Sequence, residues 1–309
     1  MGYQDKIKEL ALQDERIVIL TAENRAVIRD LPSVLGPRFI DTGITEQTMI
    51  GMAAGLALRG RIPICHALTT FLIMRAFEFI RTDVGIPGLP VKLSGFIPGF
   101  LSDANGPTHQ ALEDVSLMRG IPGMEVFCPA GEEDMDTMLH EIWTSDKPSY
   151  IRLVTKKTGY QHEPFVKAKA EVIAIGDDIN LLVYGFLFSE AMKTKEILEQ
   201  KGYSVGLINM RSLKPVDEKI ILALADSDSL LVSIEDHFIT GGLYSIIAEV
   251  LLKNSRSARI YPFAMRDRWF TPGLLDDVLQ NEGFTGAQMA SQIIQVFKNI
   301  DRYAESGTI

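Results

Sequence analysis

The chain is short of cysteine and tryptophan, has no surplus of positive charge, and contains no long apolar run. Its two cysteines, Cys65 and Cys128, lie far apart in apolar stretches. That excludes a disulfide framework and a cysteine metal site, and leaves two buried free thiols. Acidic side chains outnumber basic ones by 40 to 31, a net charge of −9, with no dense Lys/Arg cluster. Such a chain repels a polyanion, so nucleic acid is excluded as a partner, whereas a small anionic sugar needs only a few local positive groups. No stretch approaches about 18 consecutive apolar residues, so no membrane span is expected. The opening Met1-Gly-Tyr-Gln-Asp-Lys-Ile-Lys-Glu-Leu10 has no apolar run after its charges, so no signal peptide is expected either. These absences point to the cytoplasm.

What is present is an ordinary globular composition, 46% hydrophobic and 23% charged, in 309 residues, enough for two domains. Short apolar runs alternate with amphipathic stretches. Ile17–Leu20, Ile62–Cys65, Pro90–Ser94, Met124–Cys128 and Tyr150–Val154 read as strands. Glu46–Leu58 reads as a helix of small residues, Phe71–Asp83 has helical spacing, and a further helix starts near Glu132. A polar stretch follows, and then a second series: strands at Ile179–Gly185, Tyr203–Asn209, Ser229–Glu235 and Ala258–Phe263, a helix from Ser189, and a last helix over Met289–Asn299. Strands separated by helices predict an α/β chain with mostly parallel sheets, and sites at the carboxyl ends of the strands. The expected layout is two consecutive three-layer α/β/α domains, residues 1–160 and 178–309, joined by a linker at 161–177.

Three segments could carry chemistry. In Asp41-Thr-Gly-Ile-Thr-Glu46-Gln a glutamate stands where a glycine-containing loop enters an apolar helix. A carboxylate there can simply cap the helix; set against the apolar face, it could instead share a proton with a ligand nitrogen. In Asn105-Gly-Pro-Thr-His109-Gln an imidazole sits on a turn after a strand. It is either a surface histidine or an acid, base or oxyanion partner. Phe71, Met74 and Phe77 form an aromatic stripe of the kind that is more often core than ligand contact.

In order and at similar separations these segments resemble the pyrimidine-binding half of the transketolase family. The matching pieces are Gly43-Ile-Thr-Glu46-Gln with Gly51-Met-Ala-Ala-Gly-Leu-Ala, Thr70-Phe71 with Arg75-Ala-Phe77, and Gly106-Pro-Thr-His109-Gln. The resemblance continues through Val126-Phe-Cys-Pro-Ala130 and Ile151-Arg152. It then runs into the family's C-terminal domain at Gly206–Arg211, Lys214-Pro-Val-Asp217, Ile234-Glu-Asp-His237 with Gly241-Gly242, and Asp267-Arg268 with Gly273. It implies a thiamine diphosphate-binding pyrimidine domain followed by a transketolase C-terminal domain, acting as a ketol transferase. By that resemblance Glu46 meets N1′ of the aminopyrimidine, Phe71 stacks on its ring, and Met74 and Phe77 line the same pocket. Ile44 wedges between the cofactor's two rings. His109 contacts the oxygen derived from the donor's carbonyl, and Asn105, His109 and Arg152 contact the sugar. His237, after Glu235-Asp236, is expected to be structural, hydrogen-bonded at the domain interface.

The family's diphosphate and metal motif, Gly-Asp-Gly with a later Asn, has no counterpart: Gly176-Asp-Asp178 lacks the second glycine and falls in the wrong domain. The resemblance therefore implies an N-terminal partner subunit that holds the diphosphate with Mg²⁺ or Ca²⁺, with no metal ligand in this chain, and self-association in an α2β2 assembly. Three positions depart from the family pattern. Asn105 replaces an aspartate that reads the donor's C2 hydroxyl, Ile97 a substrate histidine, and Thr155 an arginine for the terminal phosphate, with Lys156 and Lys157 beside it. These departures suggest a ketose without phosphate, or with another group at its far end. Two other readings stand beside this one: the beta subunit of a 2-oxoacid dehydrogenase E1 component, and a non-catalytic transketolase-like interaction subunit. A synthase of 1-deoxyxylulose 5-phosphate fits less well.

Overall fold

The computed structural model describes residues 2–305. Among them the first series supplies strands β1 (Ile17–Thr21), β2 (Phe39–Asp41), β3 (Ile62–Leu68), β4 (Lys92–Phe96), β5 (Glu125–Phe127) and β6 (Ser149–Leu153). The second supplies β7 (Glu171–Ala174), β8 (Ile179–Val183), β9 (Val205–Asn209), β10 (Ser212–Lys214), β11 (Leu230–Phe238) and β12 (Ile260–Met265). They build two sheets, β10-β5-β6-β4-β3-β1-β2 and β12-β11-β8-β9-β7. All pairs are parallel except β10 with β5 and β7 with β9.

Helices cover both faces of each sheet, so the expected three-layer α/β/α arrangement holds. Along β1, Ile17 and Ile19 pack on the side of helices Tyr3–Gln13 and Glu132–Thr144, while Val18 and Leu20 pack on the side of helix Glu46–Leu58. This is the period of two that a strand covered on both faces imposes. Helix Glu46–Leu58 turns Met49, Ile50, Ala53, Ala54 and Ala57 to the sheet and leaves Gly51, Met52, Gly55 and Leu58 in solvent. Its small residues let it lie close on β3.

Two departures from the expected layout stand out. First, the segment 161–177 is not only a linker, because β7 falls inside it and pairs antiparallel with β9. Four residues with a single buried position give too little pattern to read as a strand. Second, the two halves are not separately closed. β10, from the second half, forms the edge of the first sheet beside β5. Cys128 N–H donates to Arg211 O at 2.9 Å, and Lys214 Nζ donates to the carbonyls of Arg119 and Ile121 at 2.8 and 2.5 Å. One hydrophobic cluster runs from Leu20, Cys65 and Leu93 of the first sheet to Leu182, Ile208 and Leu231 of the second. No helix among the described residues is long and apolar enough to cross a membrane.

Candidate active site

The loops after β2, β3 and β4 all leave the carboxyl end of the first sheet, and they carry the candidate residues. Glu46 is the first residue of helix Glu46–Leu58 and is 2% exposed. It is not tied up in a capping box, since Thr45 makes no side-chain capping bond. Instead its Oε2 takes Arg75 Nη1 at 3.1 Å. Arg75 is half in solvent, so the pair itself is worth only about 0–1 kcal/mol. The same guanidinium lies 4.3 Å above the Phe71 ring. Ile44, two residues before Glu46, is 66% exposed.

Phe71 meets His109 edge to face, with ring centroids 4.9 Å apart. Thr70 Oγ1 donates to His109 O at 2.8 Å, and His109 Nδ1 pairs with Thr108 Oγ1 at 3.0 Å. Glu46, Phe71 and His109 are thus linked in one chain of contacts through Arg75. Asn105 is exposed on the same loop as His109, its amide donating to Ser102 O at 2.8 Å. Phe71 to Gly85 is helical, as its spacing predicts, but in a mixed form: wide π turns at Phe71–Arg75 and Ile80–Gly85 flank a short α turn at Phe77–Phe79. A π turn widens the residue spacing and recurs at functional sites. Met74 and Phe77 are half-buried on this segment, and Phe77 also packs against the core.

Arg152 requires a correction. Expected at the sugar, it is 1% exposed on β6 and its charge is already spent. Nε pairs with Asp114 Oδ2 at 3.0 Å, Nη1 with Asp236 Oδ1, and the guanidinium lies 5.3 Å from the Tyr184 ring centroid. Asp114 Oδ2 also accepts from Tyr150 Oη. Arg152 is the pin between the two domains. Burial raises the Asp236 carboxyl to about 6 against the opposing pull of Arg152, and raises Glu235 to about 8. Glu235 accepts from the N–H groups of Leu243 and Tyr244 at 2.6 and 2.9 Å, anchoring helix Leu243–Lys253. His237 is buried between the domains, as expected. It donates from Nδ1 to Phe238 O at 2.6 Å, and Nε2 accepts Ser116 N–H at 3.3 Å. Burial holds its pKa down at about 4, so it is neutral.

A second polar cluster at the domain junction brings Asp134, His162 and Glu171 together. It is already filled by protein cations and donors. Arg211 Nη2 reaches Glu171 Oε2 at 2.7 Å, and Asn209 Nδ2 bridges Asp134 and Glu171 at 3.0 Å each. Burial alone would raise Glu171; the bonds from His162, Asn209 and the Glu163 N–H, with Arg211, outweigh it and hold the carboxyl at about 2. A guanidinium inside the cluster repels a metal ion, so its role is to join the domains.

Residues 1–160 match the transketolase pyrimidine-binding domain and residues 168–289 the transketolase C-terminal domain. The chain belongs to the transketolase family. It is 34% identical over 292 residues, 93% of this chain and 90% of the other, to a 6-deoxy-6-sulfo-D-fructose transketolase subunit of Clostridium sp. strain MSTE9. It is also 34% identical to the 1-deoxy-D-xylulose-5-phosphate synthase of Acidobacterium capsulatum, but spans only 45% of that longer protein. The solved structure of a split-gene transketolase in an inactive beta4 tetramer superposes with a TM-score of 0.83, at 27% identity and 96% coverage of both chains.

Transketolases use thiamine diphosphate, and the residues here fit its pyrimidine half: a buried carboxylate, an aromatic ring joined to it through Arg75 and an exposed aliphatic side chain two residues before it. Arg75, paired with Glu46 and lying on Phe71, enters the sequence only as part of a family motif. A cation four residues after the aromatic on a helical segment was the available signal.

Proposed function

We propose that this chain is the C-terminal subunit of a two-chain, thiamine diphosphate-dependent transketolase that moves a two-carbon ketol unit from a ketose to an aldose. The observation that carries the reading is the buried Glu46 carboxylate grouped with Phe71 and His109 at the carboxyl end of the first sheet. Bound thiamine diphosphate would supply the electron sink for breaking a carbon–carbon bond beside a carbonyl. Glu46 would hold a proton with N1′ of the pyrimidine, Phe71 would stack on its ring, and Ile44 would hold the cofactor's two rings in place. Met74 and Phe77 would line the pocket. His109 would donate toward the donor's carbonyl oxygen, where charge builds, and Asn105 would read the adjoining hydroxyl.

The diphosphate and its Mg²⁺ or Ca²⁺ fall, on this reading, to an N-terminal partner subunit in an α2β2 cytoplasmic assembly. The match over 96% of a split-gene transketolase chain and 90% of the Clostridium transketolase subunit supports it. So do the exposed apolar side chains on the elements that carry the site: Ile44, Met52 and Leu58 along one helix and its entry, and Phe79 and Ile86 on and just after the neighbouring helical segment. The substrate reading follows the Clostridium relative, whose sugar carries a sulfonate. Thr155 stands where ordinary family members place an arginine for the terminal phosphate, and Ile97 where they place a substrate histidine, which suits a ketose with another anionic end.

The test is reconstitution with a purified N-terminal transketolase section, followed by turnover on 6-deoxy-6-sulfo-D-fructose, an unphosphorylated ketose and xylulose 5-phosphate. Two-carbon transfer from the sulfonated sugar is expected. Clear preference for xylulose 5-phosphate sinks the substrate reading, and CO₂ release from a 2-oxoacid would make the chain a dehydrogenase subunit. Turnover by this chain alone, with cofactor and magnesium, ends the two-chain reading.

A further inference from the structure

The loop that presents Asn105 and His109 is built from improbable backbone. Ile97, Gly99, Asp103 and Gly106 all have positive φ, at 49, 55, 28 and 85°. Two of these are residues with a side chain, for which that region costs of order 1–3 kcal/mol each and persists only when surrounding contacts over-determine it. Within the first domain the loop's ties are local: Gly99 N–H to Ala111 O at 3.1 Å, His109 N–H to Gly106 O at 2.9 Å and Asn105 to Ser102. Thr70 adds one bond to the His109 carbonyl.

The outside frame comes from the C-terminal domain. Phe100 N–H donates to Asp236 Oδ2 at 3.3 Å, and Phe238 N–H donates to Leu112 O at 2.7 Å. Phe100 packs edge to face on Phe270 and Phe284, at 5.2 and 4.9 Å. The tie nearest the chemistry is Gln110. It adjoins His109, is 1% exposed, and donates from Nε2 to Phe270 O at 2.9 Å. Phe270 is itself buried, so its carbonyl is a fixed point. Gln110 faces away from solvent and into the other domain, so it does not touch a sugar.

We propose that Gln110 is a positioning residue, through which the C-terminal domain fixes the loop that presents Asn105 and His109 to the donor sugar. The inference rests on the reading of those two residues as sugar contacts given above. It assigns the C-terminal domain a part in substrate recognition, carried by one side-chain amide and one backbone carbonyl. Gln110→Leu keeps the bulk and removes the donor. Loosening the loop by an ångström or so is expected to raise the donor KM at least about tenfold, while the half-saturating cofactor concentration stays within about twofold because Glu46 stands on its own helix and Phe71, although its ring touches His109, is carried by the separate segment Phe71–Arg75.

The test has two arms. In the reconstituted enzyme, donor KM and cofactor half-saturation are measured for wild type, Gln110→Leu and Phe270→Leu, with Asn105→Ala as reference. In the full chain alone, amide hydrogen exchange is followed; peptides covering 99–112 are expected to exchange faster in Gln110→Leu, with β1 and β8 unchanged. A donor KM within about twofold of wild type, or a parallel loss of cofactor and donor affinity, overturns the proposal. If Gln110→Leu does not fold, Phe270→Leu, which keeps the carbonyl but loosens its support, must show the same split or the proposal fails. If Asn105→Ala leaves donor KM unchanged, the underlying site reading falls and takes this inference with it; if Asn105→Ala raises KM and Gln110→Leu does not, only this inference is lost.

Discussion

The ion pair between Glu46 and Arg75 joins the residue proposed for proton transfer to the cation lying on Phe71. Replacing Glu46 with Gln keeps the shape and removes the proton exchange. Turnover of the reconstituted enzyme is expected to fall by about 10²–10⁴-fold, while the urea midpoint of the chain barely moves, because the Arg75 partner is solvated. Equal turnover would remove Glu46 from the mechanism. Lys92 offers a different test, of burial itself. It is fully buried at the start of β4 and donates to the carbonyls of Ser145 and Lys147 at 2.7 and 2.5 Å. Burial lowers its pKa from 10.5 to about 7, against the pull of Glu125 and Asp146. The unfolded chain therefore binds more protons than the folded one between about pH 7 and 10.5, so stability from this group rises with pH across that window. Wild type should gain on Lys92→Met between pH 7 and 9 in urea unfolding, and a constant difference would show that the amine is not desolvated. At this scale Glu46, Phe71 and His109 were legible because their motifs are local. Arg152 was misread because its partners Asp114 and Asp236 are remote in sequence, and a run of residues does not say which arginine is already neutralised.

Elements were legible where the period was strong. Helix Glu46–Leu58 and strands such as β1, β6 and β8 follow the apolar pattern closely. The segment Phe71–Gly85 was readable as helical but not as π turns, because a small change of pitch leaves no mark on a stripe that short. β7 and β10 escaped because strands of four and three residues are held by their partners rather than by their own pattern. The segment after β4 is legible as a turn carrying His109, yet not for the fit it requires. At Gly99, with φ of +55°, an added Cβ would lie 1.8 Å from Asp236 Oδ2 and 2.7 Å from Arg152 Nη2. Neither atom can retreat without breaking the buried ion pair. Gly99→Ala is therefore expected to cost at least about 2 kcal/mol, read from the urea midpoint, whereas Ala at the open Gly60 turn should cost less. A neutral Gly99→Ala would mean that Asp236 is not where the fit demands.

For the whole molecule, two domains in the expected order were legible, but their independence was not. Arg152 and Arg211 each hold a carboxylate across the junction, Asp236 and Asp134 respectively, and one apolar cluster serves both sheets. Arg152→Met would leave Asp114 and Asp236 buried as like charges without a cation, at an expected cost of about 3–5 kcal/mol in equilibrium unfolding of the full chain. A small cost would mean that the pair protonates and repacks freely. The antiparallel pairing of β10 with β5 has a consequence for how the protein is made. When the ribosome has finished Leu153, the last parallel strand of the first sheet is complete but the outer edge at β5 is still bare, and it stays bare until Lys214 emerges. At about 5–20 residues per second that gap lasts several seconds, during which a nascent chain offers a templating edge to any neighbour on the same message, and the later half of the translation product is what removes it.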